Sequence, residues 1–235
     1  MGGLNIGSIG HSVSVISKWD PGKLGSALLA WYSADYITGV ASGGEIATWR
    51  DLGPNGFNAT QASTASMPSL QYPAGINGFP VVRGDGGDRL NTGEVGPNNI
   101  GAVCVIGGNV SNGTATPGFV AVSMGVATDL RICTITNNDV TVHTGDANEI
   151  WNSSFSTFVN STNNNIFAAS DTYQVIINSG FDVLASTGSL ALMASLANAD
   201  MNGDAAEIIL LNSTMDATQR GFLERYARDK YGISL

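Results

Sequence analysis

The run from Ala30 to Leu90 constrains the fold more than any other part of the chain. Short apolar or aromatic stretches follow one another there (AWY, IATW, NAT, PVV), each closed by Gly, Pro or Asn. Stretches of this kind bounded by turn formers are strands, and their succession reads as an edge-to-centre pass through a β-sandwich. Trp31 and Tyr32 point to opposite faces of the first strand, because side chains alternate along an extended backbone, so one of the two meets the core. In the second strand Ile46 and Thr48 alternate with Ala47 and Trp49. Gly53, Pro54, Asn55 and Gly56 then supply the dihedrals of consecutive turns and predict a sharp, exposed reversal.

The order of these parts resembles the opening of the concanavalin A-like lectin/glucanase jelly rolls, in their laminin-G-like branch. The resemblance rests on Trp31, then Trp49, Asp51 and Asn55-Gly56, then Ala59-Thr60-Gln61, then Asn77 to Arg83. It extends to a Gly203-Asp204-Ala205-Ala206-Glu207 strand with the apolar run behind it, and so covers about residues 28–232. What it implies is an all-β fold, a two-sheet antiparallel jelly-roll sandwich with one C-terminal α-helix, in which Glu207 is structural. It says little about function, since one fold hosts many sites.

The rest of the chain agrees with that class. Residues 102–108 and 118–125 are apolar runs bounded by glycine, the pattern of strands buried on both faces. Leu130 to Thr136 and Val140 to Thr144 flank Asn137-Asn138-Asp139 as a hairpin, and Tyr173 to Ile177 and Phe181 to Ala185 flank Asn178-Ser179-Gly180 as a second. Residues 145–164 predict a long loop or a weak strand. Ser189 to Ala197 and Ala205 to Asn212 are further strands, separated by the polar turn 198–204. The spacing of Asp216 and Gln219 is that of a capping box; Phe222, Leu223, Tyr226 and Ala227 share a face, and Gly232 stops the helix, which is expected over about 216–230.

A single core is expected at 235 residues, occupying 27–235 behind a lead-in of 1–26. That lead-in is broken by glycines at 2, 3, 7 and 10, yet Leu4, Ile6, Ile9, Val13, Val15 and Ile16 are too apolar for a solvated tail. It docks either on its own domain as an edge strand or on a neighbouring chain, as an attachment segment. Its sequence lacks the positive n-region and unbroken apolar stretch of a secretory signal, so assembly in a host cytoplasm is expected unless a signal was cleaved earlier.

Charge excludes several partners. With a net charge of −9 and only ten Lys plus Arg, the chain lacks the clustered cations that nucleic acids or anionic lipid require. No apolar run approaches the roughly 20 residues of a membrane helix. Cys104 and Cys133 lie in apolar or β-branched runs and read as reduced core thiols, so no disulfide is expected.

Candidate chemistry is sparse. Glycoside hydrolysis needs two carboxyls about 5–9.5 Å apart flanking the bond. Here Glu45, Glu94, Glu149, Glu207 and Glu224 are scattered, and neither His11 nor His143 has a recognisable catalytic setting, so no catalytic residue and no cofactor is expected. Asp85-Gly86-Gly87-Asp88 and Asp200-x-Asn202-x-Asp204 are the loops in which calcium is conceivable, but the second lacks the glycine and glutamate of an EF-hand loop. Trp151, beside Asp146 and Asn152, is the candidate sugar platform, with cover for a sandwich edge as the simpler role.

Three readings follow. The first is a non-enzymatic structural or decoration protein of a tailed-phage virion, since jelly rolls resembling this one recur there behind short Gly/apolar lead-ins; its partners are capsid or tail proteins, with homo-oligomers possible. The second is a glycan-binding adhesion module at a cell surface. The third, a degenerate glycoside hydrolase, is disfavoured by the scattered carboxylates.

Overall fold

The computed structural model describes residues 19–73, 75–94, 98–108, 118–123, 129–135, 142–146, 156–160, 162–163, 173–185, 189–193 and 202–235. Its strands, in chain order, are β1 (Leu28–Ser33), β2 (Thr48–Trp49), β3 (Ala59–Thr60), β4 (Ser69–Gln71), β5 (Val81–Asp85), β6 (Leu90–Glu94), β7 (Asn98–Gly108) and β8 (Gly118–Ser123). They continue as β9 (Asp129–Ile135), β10 (Val142–Asp146), β11 (Ser156–Val159), β12 (Thr162–Asn163), β13 (Tyr173–Ala185), β14 (Ser189–Leu192) and β15 (Asn202–Leu211), followed by helix α1 (Ala217–Tyr231). One sheet runs β12-β11-β13-β7-β15-β5-β4, with β1 also paired to β15; the other runs β10-β9-β8-β14-β6-β3-β2. All pairings are antiparallel, so the protein is an all-β, two-sheet sandwich closed by one C-terminal α-helix.

β15 holds the first sheet together. One edge lies along β7, while its other edge is divided between β5, over Asn202 to Ala205, and β1, over Glu207 to Leu211. Its apolar residues from Ala205 to Leu211 are buried because both faces of this sheet are covered. Ile208 and Leu210 join Tyr32, Trp49, Val103, Val105 and Ile176 between the sheets. Ile209 and Leu211 join Cys104, Ile177 and Trp31 beneath Leu223, Tyr226 and Tyr231 of α1. Hence both Trp31 and Tyr32 are buried, where one was expected to be: the helix turns the sheet's outer face into a second core.

The helix ends as the sequence signals. Asp216 accepts from the Thr218 and Gln219 amides, Gln219 answers to the Asp216 amide, and Gly232 closes the C-terminus at φ 69°, a left-handed conformation that favours glycine. Arg228 and Lys230 occupy the last turn, where the helix dipole favours cations.

Three local expectations change. Residues 173–185 form one strand along β7 instead of a hairpin; Gly180, at φ 101°, sits where the register shifts between Ser179 and Val183, so it serves a bulge and not a turn. The alternation across Ile46 to Trp49 also fails, since Ile46 and Trp49 are both buried. Around Gly43 to Ile46 the backbone bonds to Pro68 and Leu70, at the edge of the first sheet, whereas Thr48 and Trp49 pair with β3 of the second. A segment that crosses between sheets reorients its side chains on the way. Finally, β15 begins at Asn202, inside the expected polar turn, because Asn202 to Asp204 pair with β5. Cys104 is a buried thiol, as expected.

Trp49 is wholly buried and packs against Tyr32 with ring centroids 5.8 Å apart. Trp49→Ala is therefore expected to cost about 3–5 kcal/mol, the usual penalty for emptying a core aromatic site, read as a lowered denaturant midpoint with an unchanged slope.

Candidate functional site

Among the described residues Asp51, Asp88, Asp204, Glu207 and Glu224 are buried, and three of them, Asp51, Asp204 and Glu207, join distant parts of the framework. Asp51 leaves β2 and turns back onto β1. Its Oδ1 accepts from the Trp31 amide at 2.9 Å and the Gly53 amide at 2.7 Å, and its Oδ2 accepts from the Phe57 amide at 2.9 Å. A Cβ on Gly53 would lie 2.9 Å from Asp51 Oδ1 and 3.1 Å from Ala30 Cα, so the close approach of this turn to β1 needs glycine. Asn55 Nδ2 donates to Leu29 O at 2.7 Å and completes the clasp.

Asp204 lies in a register row with Arg83 on one side and Gly108, then Tyr173, on the other. Arg83 binds it with two donors, Nε to Oδ1 at 2.6 Å and Nη2 to Oδ2 at 2.7 Å. Gly108 has no side chain, so the Tyr173 hydroxyl passes over β7 and donates to Oδ2 at 2.7 Å. With Arg83 on both oxygens, Asp204 is engaged in the fold. In the Asp85–Asp88 turn, Asp85 Oδ1 accepts from the Gly87 amide and Asp88 Oδ2 from the Asp85 amide. Among the described residues no cluster of three or more His, Cys, Asp or Glu side chains could hold a metal.

Glu207 has the richest set of donors. The pairing of β15 with β7 skips a residue between Ala205 and Glu207; this bulge shifts the alternation, so that Ala206 packs in the outer cluster and Glu207 meets the helix. Glu207 Oε1 accepts from the Tyr226 and Tyr231 hydroxyls, each at 2.6 Å, and from Lys230 Nζ at 2.8 Å. Oε2 accepts from Trp31 Nε1 at 2.8 Å. Lys230 also lies 3.4 Å from Asp35 Oδ2 and within 5.5 Å of the Phe79, Tyr226 and Tyr231 rings. Burial, and then the Glu207 carboxylate, push both phenols far above the usual tyrosine range. Burial does the same to Tyr173 and Tyr32, reinforced by Asp204 and by Asp51 respectively.

No protein-family model matches the chain, and no curated protein does. The site must therefore be judged on its own geometry. Asp51, Asp204 and Glu207 are each enclosed by donors belonging to the fold.

The open space lies elsewhere. A pocket of about 360 Å³ sits where the end of β1 approaches the crossing segment 43–50, lined among others by Ser33, Tyr36, Val40, Glu45, Trp49 and Arg50. A second, of about 290 Å³, lies beside the start of α1, between Phe158, Met215 and Arg220. Neither contains a residue singled out for binding in the sequence. Asp146 ends β10, across from Leu130 of β9, while Trp151 and Asn152 lie outside the described residues, as do Leu4, Ile6, Ile9, Val13, Val15 and Ile16. Sequence reasoning passed over Ser33, Tyr36, Glu45 and Arg50, which stand in no motif; only the crossing of the segment between sheets brings them together.

Two outcomes test this account. Glu207→Gln, which among the described residues leaves Lys230 with only the more distant Asp35 carboxylate, is expected to cost about 3 kcal/mol by chemical denaturation, the low end of the penalty for breaking a buried ion pair. Stability should also fall as pH rises above about 10. There the unfolded tyrosines release protons that Tyr32, Tyr173, Tyr226 and Tyr231 retain in the native state, so the unfolded chain binds fewer protons and the slope of stability against pH is negative. Phenolate absorbance for these four should appear only with the unfolding transition.

Proposed function

We propose that the chain is a non-enzymatic structural component of a tailed-phage virion, a capsid or tail accessory that displays the sandwich and is attached through its N-terminal segment. The observation that carries this reading is the anchorage of that segment's last residues. Trp19 stacks on Phe222 with centroids 5.5 Å apart and meets Tyr226 edge-on, and Leu24 packs in the same outer cluster. Asp20 caps the short 3-10 turn that follows. The chain before Trp19 thus starts from a fixed point on α1, which suits an arm that reaches a neighbour. Enclosure of Asp51, Asp204 and Glu207 by fold donors supports the non-enzymatic half of the reading.

Because Trp19, Pro21 and Leu24 pack on the body, the proposed attachment segment is confined to residues before Trp19. A chain shortened to begin at Trp19 should melt like the full chain yet fail to join reconstituted particles. Normal incorporation of the shortened chain would place attachment on the sandwich and overturn the proposal.

A further inference from the structure

Lys230 is an amine held between two carboxylates in a space closed by aromatic rings. Its side chain is 9% exposed, and Nζ lies 2.8 Å from Glu207 Oε1 and 3.4 Å from Asp35 Oδ2. The Tyr231 ring centre is 5.0 Å from Nζ, and those of Phe79 and Tyr226 are 5.5 Å away. The two carboxylates differ in what they can do for the amine. Glu207 is wholly buried and accepts hydrogen bonds on both oxygens, so neither oxygen can leave it as water. Asp35 stands in the short 3-10 turn Ala34–Tyr36 that follows β1, with its side chain 37% exposed, and among the described residues its one ion-pair partner is Lys230. An oxygen released from Asp35 has a way out to solvent.

An amine becomes a nucleophile when a base in contact takes its proton and water is kept from it, and Glu207 and the three rings supply both conditions. Well-oriented groups held in contact react as if at about 10⁵–10⁸ M, enough to drive a condensation that a free amine and acid in water do not undergo. We infer that Lys230 and Asp35 condense to an intramolecular amide, a covalent link between the last turn of α1 and the turn after β1, with Glu207 as the general base. Nζ forms a bond to Asp35 Cγ, and one Cγ–O bond of Asp35 breaks. Of the three ammonium protons one stays on the amide nitrogen, and two pass by way of Glu207 to the departing oxygen, which leaves as water. Glu207 ends as the carboxylate it began as, and no oxidant or reductant takes part. The ion pairs described above are the state before the bond forms. Afterwards nearly the whole sandwich lies within one covalent loop, and cross-links that close long loops constrain the unfolded chain most. The inference is independent of the virion reading and is tested on the isolated full chain.

Intact mass and tryptic peptide masses would be read on the full chain kept folded at neutral pH. The expected result is a chain one water lighter than its sequence requires, with a branched peptide in which residues 24–50 are joined to residues 229–235, uncleaved after Lys230. Lys230→Arg, which keeps the cation but not the nucleophile, and Asp35→Ala, at a partly exposed position, should each have the full mass and no branched peptide. Glu207→Gln should slow the appearance of the branched peptide about 100-fold or more, the usual effect of removing a general base. Two separate peptides from the unaltered chain would leave Lys230 as an ion-pair residue only and overturn the inference. So would a loss of water that persists in Lys230→Arg or Asp35→Ala, since the dehydration would then lie elsewhere. A branched peptide that forms as fast in Glu207→Gln overturns the assignment of the base.

Discussion

A carboxylate cut off from water is stable only if the protein replaces its hydration completely, and Glu207 meets that condition with donors from two distant elements of the chain. Trp31 comes from β1, Tyr226, Lys230 and Tyr231 from α1, and the acceptor itself from β15. The constraint is therefore topological as well as local. α1 can be satisfied only when its last turns lie over Glu207, and β1 only when Trp31 lies on the outer face of the sheet. Once these are fixed, Leu223, Ala227 and Ile209 are brought together, and the second core follows. A hydrophobic contact alone would tolerate sliding of the helix, since apolar packing is not directional.

Asp51 and Asp204 repeat the device at other seams. Asp51 ties the turn after β2 to β1, and Asp204 ties β5, β15 and β13 in one row. Only 12% of the chain is charged, and several of these few charges brace segments far apart in sequence: Trp31 and Glu207 are 176 positions apart, Arg83 and Asp204 121. Such contacts form late, after long loops have closed, so the braces lock the fold more than they nucleate it.

One of the open pockets lies where the sandwich changes sheets. Residues 43–46 bond to the edge of one sheet and Thr48 and Trp49 to the edge of the other. A chain spanning that gap cannot pack as tightly as a strand within a sheet, which accounts for a pocket beside well-packed neighbours. The same crossing turns Ile46 and Trp49 inward and leaves Glu45 and Arg50 exposed.

The class of fold, the strands that carry Trp31, Trp49, Ala59 and Val81 and the capped C-terminal helix were legible because they depend on local signals: short apolar runs, turn formers, and a capping box with a glycine stop. Glu207 could be marked as structural through the resemblance of its motif, but not its partners. Tertiary structure alone decided that residues 173–185 are one bulged strand, because glycine has the same permissive backbone in a turn and in a bulge, and only β7 alongside selects between them. It alone decided that Trp31 is buried along with Tyr32, since an alternating pattern does not say whether a helix will cover the outer face. The gathering of Ser33, Tyr36, Glu45 and Arg50 into one pocket was equally invisible, because their proximity comes from a chain crossing between sheets, and a crossing leaves no period in the sequence.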